Sequence, residues 1–256
     1  MAGTDSGGPP RGSDGTADRV QPVDTVIPMV EELSTLILRP ESMRVQITNP
    51  ASKIEWYRGS TRGVPNVRHG PSYYDFRSDP TEVRYQELTI ADLGFATLLD
   101  GRPSADAAQS IAECPMSIAG VPDDPLETLD VTAIPSLAAE IARLCRLRGW
   151  GPAVSTKTLH IKRRATVPVL DSKAIFGTYM NPRWQRGDEP KSRYPTWSTQ
   201  LFIDALTNIH RDLTRHENIE AWSELTDRYP EYTRIELFDM VWWSCIHQVG
   251  PAAGSA

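Results

Sequence analysis

The sequence predicts an all-α fold: a single helical domain carrying a helix-hairpin-helix-like turn, preceded by a disordered N-terminus. Three observations predict it. Apolar residues recur at helical spacing over long stretches, most clearly Trp197, Leu201, Phe202, Ala205, Leu206, Ile209 and Leu213. Helix-start signals precede such stretches, with Thr89…Asp92 and Thr233…Glu236 both in capping-box form. Strand-type alternation is confined to Arg44–Thr48.

The elements follow in order. Residues 1–22 are rich in Gly, Ser, Asp and Pro and hold almost nothing apolar, so burial cannot offset their ordering entropy. The tail at 250–256 repeats that composition, which leaves 23–249 as the domain. Val26, Ile27, Val30, Leu33, Leu36 and Ile37 predict a first helix over Val23–Leu38, capped by Asp24 and closed by Arg39-Pro40. A short strand at 44–48 precedes an irregular region, 49–80, dense in Gly, Pro, Asn and Ser. Helices are expected from Ile90 to Leu99 and from Ser104 to Cys114, then a turn-rich stretch. Pro135 opens a helix striped by Leu137, Ile141 and Leu144 and ended by Gly149, and Pro152 restarts the next at a first helical position. Asp171 stands where an N-cap belongs for a helix through Tyr179. Beyond the long helix after Trp197, Ile219, Trp222 and Leu225 mark a shorter one. Ile235, Phe238, Val241, Trp242, Cys245 and Ile246 mark the last.

Composition excludes several classes. The three cysteines (Cys114, Cys145, Cys245) are odd in number and lack zinc-type spacing, so reduced thiols, no metal and no cofactor are expected. There is no secretory pattern and no apolar run of membrane-spanning length, which predicts a cytoplasmic protein with no membrane partner.

Charge is unevenly placed. Between Glu140 and Asp171 there are seven Lys or Arg residues and no acid, a local +7 in a chain of formal charge −6 that leaves −13 elsewhere. A cationic island on an acidic protein points to an anionic partner, DNA or another phosphate-bearing ligand. Arg148, Gly149, Trp150 and Gly151 form the elbow between two helices, where outward amides at a helix N-terminus make a phosphate nest. His160, Lys162, Arg163 and Arg164 follow, with Lys157 one turn before His160. Each has a plainer reading: glycines that break helices, a tryptophan in the core, a solvated cationic face, an aspartate that only caps. Asp239, inside an apolar helix, must pair if buried; a salt bridge to the 157–164 segment is its ordinary outcome, and a second active-site carboxylate is the alternative.

These residues resemble two groups. Thr156-Lys157-Thr158-Leu159-His160-Ile161-Lys162-Arg163-Arg164, Val167-Pro168-Val169-Leu170-Asp171-Ser172, the upstream Thr89-Ile90-Ala91-Asp92-Leu93 and the final Arg234-Ile235-Glu236-Leu237-Phe238-Asp239 with Trp242 resemble the signature of an uncharacterised bacterial family of unknown function. More distantly, the helix, Gly-x-Gly elbow, helix and following aspartate resemble the helix-hairpin-helix DNA glycosylases. That resemblance implies Gly149 and Gly151 as hairpin glycines, Lys157 as the lysine candidate and Asp171 as the aspartate that supports bond cleavage. Arg148 replaces the superfamily's proline, and Lys157 lies about one turn later than its catalytic lysine.

The functional expectation is a nucleic-acid-binding, DNA glycosylase-like protein acting on a modified or damaged base. The alternatives are a non-catalytic interaction or scaffold protein, and an enzyme or binder for a phosphorylated small molecule. Oligomeric state is not legible.

Overall fold

The computed structural model describes residues 34–63, 74, 84–99, 103–113, 115–185, 188 and 197–248. The protein is mostly helical over these residues. The expected tails, and residues 23–33 of the expected first helix, lie outside them.

The first described element is a strand, not the end of a helix. Thr35–Leu38 (β1) pairs antiparallel with Val45–Thr48 (β2), with Leu36 opposite Ile47 and Leu38 opposite Val45. Leu36 and Leu38 are buried while Thr35 and Ile37 are half-buried, a period of two that a helical reading of Leu33, Leu36 and Ile37 obscured. Arg39 and Asn49 each directly follow a strand, at φ 78° and 51°, where regular structure must stop.

The expected irregular region begins with a helix, Pro50–Gly63 (α1). Pro50 occupies its first position, and the Asn49 side chain accepts from the Ser52 amide at 3.1 Å. Ala51, Ile54 and Tyr57 bury one face, so turn-forming composition hid a helix start. Residues 64–73 and 75–80 lie outside the described part.

A two-residue ladder, Glu87–Leu88 (β3) with Met116–Ser117 (β4), flanks Ile90–Phe95 (α2) and Ala105–Glu113 (α3). Asp92 closes the capping box of α2 by accepting from the Thr89 amide at 2.7 Å. Ile134–Cys145 (α4) and Pro152–His160 (α5) make the elbow, followed by Thr199–Thr214 (α6), Ile219–Arg228 (α7) and Arg234–His247 (α8). The helix expected from Asp171 is instead a turn leading into one π-helical turn, Ile175–Tyr179. Its long-step bonds run from Met180 N to Ile175 O (2.8 Å) and from Tyr179 N to Ala174 O (3.1 Å).

Helix α4 packs on α6, and α1 packs on α8. Ile235, Leu237, Phe238, Met240, Val241 and Trp242 are all buried, so α8 meets core on almost every side. That makes Glu236 and Asp239, its two buried acids, costly features in need of partners. A second buried acid network braces the far side. Asp212 on α6 accepts from the Tyr179 hydroxyl (2.6 Å), the Arg39 amide (2.5 Å) and Arg215 (2.7 Å), joining β1, the π turn and α6.

Candidate functional site

Helix α5 is short and buried on every turn, and the cationic segment that follows it runs inward. Lys162, 3% exposed, sits 3.2 Å from Asp92 and donates to the carbonyls of Arg84 (2.8 Å) and Glu87 (2.5 Å). Arg163, 1% exposed, donates to Val121 O (3.1 Å), Lys162 O (2.9 Å) and Gln86 (2.6 Å), and its guanidinium lies over the Tyr85 ring. Arg164 donates from Nε and Nη2 to Glu236 Oε1 at 2.7 and 2.5 Å. The expectation of an open phosphate-binding face is therefore corrected for Lys162, Arg163 and Arg164. A guanidinium or ammonium shut away from water needs fixed acceptors, and these three have them inside the protein.

His160 belongs to the same network. It is buried, with Nδ1 2.6 Å from Val167 O, Nε2 3.4 Å from Glu236 Oε1, and its ring edge-on to Tyr74 at 5.7 Å. Lys157 is also buried and, three residues earlier on α5, shares His160's face.

At the elbow the four expected residues divide. Trp150 is 2% exposed and donates to Ser110 Oγ at 3.0 Å, so it anchors the elbow in the core and is not presented to a base. Gly149 is exposed with φ +81°, a left-handed turn that a β-carbon would drive to 2.1 Å from Ser104 Oγ. Gly151 opens α5 with open space around it. Arg148 is exposed but paired with Asp106 at 3.0 Å. Of the cations expected to hold phosphate, Arg148 is the one at the surface.

The carboxylates on α8 and its neighbouring turn form the more distinctive arrangement. Glu236 completes the α8 capping box by accepting from the Thr233 amide (2.7 Å). Burial pushes its carboxyl up, but the His160 hydrogen bond, the charges of His160 and Arg164 and the Thr233 amide outweigh that and hold it below the usual range. Asp239, one turn on, is 7% exposed. Among the described residues no ion pair reaches it: the bridge expected between Asp239 and the 157–164 segment is made by Glu236 instead. Asp239 Oδ2 accepts from the Val169 amide at 3.2 Å and faces the Tyr74 hydroxyl at 3.4 Å. Burial, reinforced by the charges of Asp171 and Glu236, raises its carboxyl well above the usual aspartate range, against the Val169 and Tyr74 hydrogen bonds. Its surroundings therefore disfavour its charged form, and Asp171 is a close neighbour.

That neighbour is half-buried at the start of the turn. Asp171 Oδ1 accepts from the amides of Lys173 (2.7 Å) and Ala174, while Oδ2 makes no hydrogen bond among the described residues. The capping role expected of Asp171 thus uses one oxygen and leaves the other. Trp242 Nε1 donates to Ala174 O at 2.7 Å, so the 169–174 segment lies along α8 from Asp239 to Trp242.

Comparison with protein-family models, curated proteins and solved structures finds no match.

Sequence reading missed His247 and Tyr74 as neighbours of these acids. His247 is pushed down by burial and by the Lys173 charge, and up by Asp171. The signal was present in spacing, since Glu236, Asp239, Trp243 and His247 fall on one face of a helix at steps of three and four. Tyr74 carried no such signal. Among the described residues no group of three or more His, Cys, Asp or Glu is arranged to hold a metal.

Proposed function

We propose that the protein is a DNA glycosylase-like hydrolase that cleaves the bond between a modified or damaged base and its sugar. The observation that carries this reading is the unequal carboxyl pair, Asp239 buried with its carboxyl pushed well above the usual aspartate range, beside half-buried Asp171 with one oxygen uncommitted. Two acids whose surroundings separate their protonation are the usual equipment for cleaving such bonds. As the C1′–N bond breaks, the base leaves with the bonding electrons and positive charge develops on the sugar. Asp171 Oδ2 stabilises that charge, takes the proton of the water that adds to C1′, and passes it to the released base, which restores the carboxylate. Asp239, whose surroundings disfavour its charged form, limits the negative charge that the leaving base meets. The base is reached by flipping it from the duplex. Lys157 supplies a nucleophile only in a version of the reaction that also cuts the strand.

This reading groups the chain with the helix-hairpin-helix proteins its elbow resembles, within the uncharacterised bacterial family whose signature it resembles, and puts it in the cytoplasm. Phosphate contact is then limited to Gly149, Gly151 and Arg148. DNA affinity should accordingly be modest, with a shallow salt dependence of one or two released counterions.

The test is base release from duplexes carrying uracil, hypoxanthine, alkylated purine or oxidised guanine, for wild type and Asp171→Asn. Release by wild type that the variant loses by roughly a hundredfold or more is expected; equal behaviour of the two on every substrate defeats the proposal. Borohydride trapping on an abasic duplex reads Lys157 separately.

A second reading is supported by the internal commitments of Lys162, Arg163 and Arg164. In it the segment is a brace, and the protein is an interaction or scaffold protein without chemistry. Absence of duplex binding at low salt favours that reading. A phosphorylated small molecule would draw on the same cations and meets the same obstacle.

A further inference from the structure

We infer that Trp56, Trp243 and His247 form a stacking shelf for a single unpaired nucleobase, set beside Asp171; this rests on the glycosylase-like reading and adds the residues that would hold the extruded base. The three rings come from two helices that pack together, α1 and α8. Trp243 and His247 lie one turn apart with centroids 4.0 Å apart and planes inclined 34°. Trp56 meets Trp243 at 5.9 Å with the same 34° inclination, and Tyr57 props Trp243 from its edge at 5.3 Å. Inclined planes of partly exposed rings leave aromatic surface open at this edge, whereas Trp242 meets Tyr179 and Trp184 edge-on and buried. His247 is exposed, and Trp56 and Trp243 are half-buried, so π surface remains accessible at the edge of the core.

Two observations set this shelf next to the chemistry. The 169–174 turn is tied to α8 by Val169 N on Asp239 and Trp242 Nε1 on Ala174 O, one residue before Trp243. The α1 side is tied at the same level by Ser244 Oγ on Lys53 O (2.8 Å) and by Lys53 Nζ on Gln248. Trp243 and His247 therefore sit where α1 and the Asp171 turn converge. Burial and Lys173 outweigh Asp171 and hold His247 below the ordinary imidazole range, which favours an uncharged ring for stacking. A planar, weakly charged group is what such a surface holds, and a nucleobase offers both faces to it.

The test uses full-length Asp171→Asn protein, which should bind without turnover, and a short fluorescent single-stranded oligonucleotide at low salt. His247→Ala alters an exposed side chain, and Trp243→Leu keeps bulk while removing the π face. Each should weaken binding by about tenfold, the worth of one base–aromatic stack, with circular dichroism and melting unchanged for His247→Ala. Unchanged affinity in both variants, in protein that still releases base when Asp171 is restored, overturns the shelf and leaves the function standing. No oligonucleotide binding by any form, together with no base release by wild type, overturns both.

Discussion

Replacing Glu236 by Gln is the sharpest probe of how the cationic segment is held. Gln at this position can still accept from the Thr233 amide, so the capping box survives and only the charge is removed. The side chain it replaces is fully buried, and its Oε1 takes both Arg164 hydrogen bonds and lies 3.4 Å from His160. Breaking a buried pair costs about 3–5 kcal/mol because the surviving charge stays desolvated. Arg164 is 14% exposed and also reaches Tyr74 O at 3.2 Å, which places the expected loss near the lower end, about 3 kcal/mol. At this chain length that is a fall in Tm of roughly 6–12 °C. The control is Glu41→Gln, which opens the exposed Arg44–Glu41 pair and should cost about 0–1 kcal/mol. Urea denaturation of wild type, Glu236→Gln, Arg164→Met and the double variant closes a cycle whose coupling should be about 2 kcal/mol. The pH dependence has a definite sign. A carboxyl held below its unfolded value of 4.5 contributes stability that is present above that pH and lost as pH falls through the folded pKa. Glu236→Gln should therefore flatten the acid limb of the stability curve. A loss equal to that of Glu41→Gln, or an acid limb unchanged by the substitution, refutes the reasoning.

Three further outcomes are expected. Gly149→Ala should cost about 2–4 kcal/mol, from the left-handed backbone and the clash with Ser104 and Ala107, whereas Gly151→Ala should cost a few tenths, both read by chemical denaturation; equal effects would mean the elbow does not hold its turn as described. Asp239→Asn should gain on wild type as pH rises from about 4 to 8, because stability from a carboxyl whose folded pKa is raised above 3.8 is lost as pH climbs through that pKa; a gap that is constant with pH would show Asp239 to be ionised throughout. Burial raises the Cys145 thiol to about 11, so alkylation at pH 8, followed on its own peptide by mass spectrometry, should be roughly a hundredfold slower than for a free cysteine and should recover on unfolding.

The helical character was legible where burial is one-sided. Helix α6, with Phe202, Ala205, Leu206, Ile209 and Leu213 on one face, and both capping boxes stand where spacing put them. Legibility failed where two periods coincide or where composition outvotes position. Leu36 and Leu38 alternate as a strand, yet with Leu33 and Ile37 they also satisfy a helical spacing, and pairing with β2 decides between them. Residues 50–63 read as loop because Pro50, Gly59 and Ser60 are turn formers, although Pro50 merely begins the helix. Around Asp171 and Asp239, the cations expected on an open face take internal partners instead. A run of Lys and Arg in sequence says nothing about direction, and it was Asp92, Glu236 and backbone carbonyls distant in the chain that drew Lys162, Arg163 and Arg164 inward.

That redistribution explains why three separated motifs belong together. Asp92 and Glu236 occupy the same position in two helices, the third helical residue that closes the capping box, and each meets a cation of the 162–164 segment. A carboxylate already held by its helix's N-terminal amide loses little further freedom in forming an ion pair, so the pair stabilises more than a flexible one would. Lys162 thereby ties the segment to α2, and Arg164 ties it to α8, on either side of Arg163 and its carbonyl contacts. The turn carrying Val169 and Asp171 follows directly and is fixed against α8 by the Val169 amide on Asp239. Local positive charge in the sequence is thus spent on rigidity, and what it makes rigid is the backbone that presents Asp171. The chemistry proposed here rests on that aspartate and on Asp239, and variants of Lys162 or Arg163 should impair stability before they impair binding.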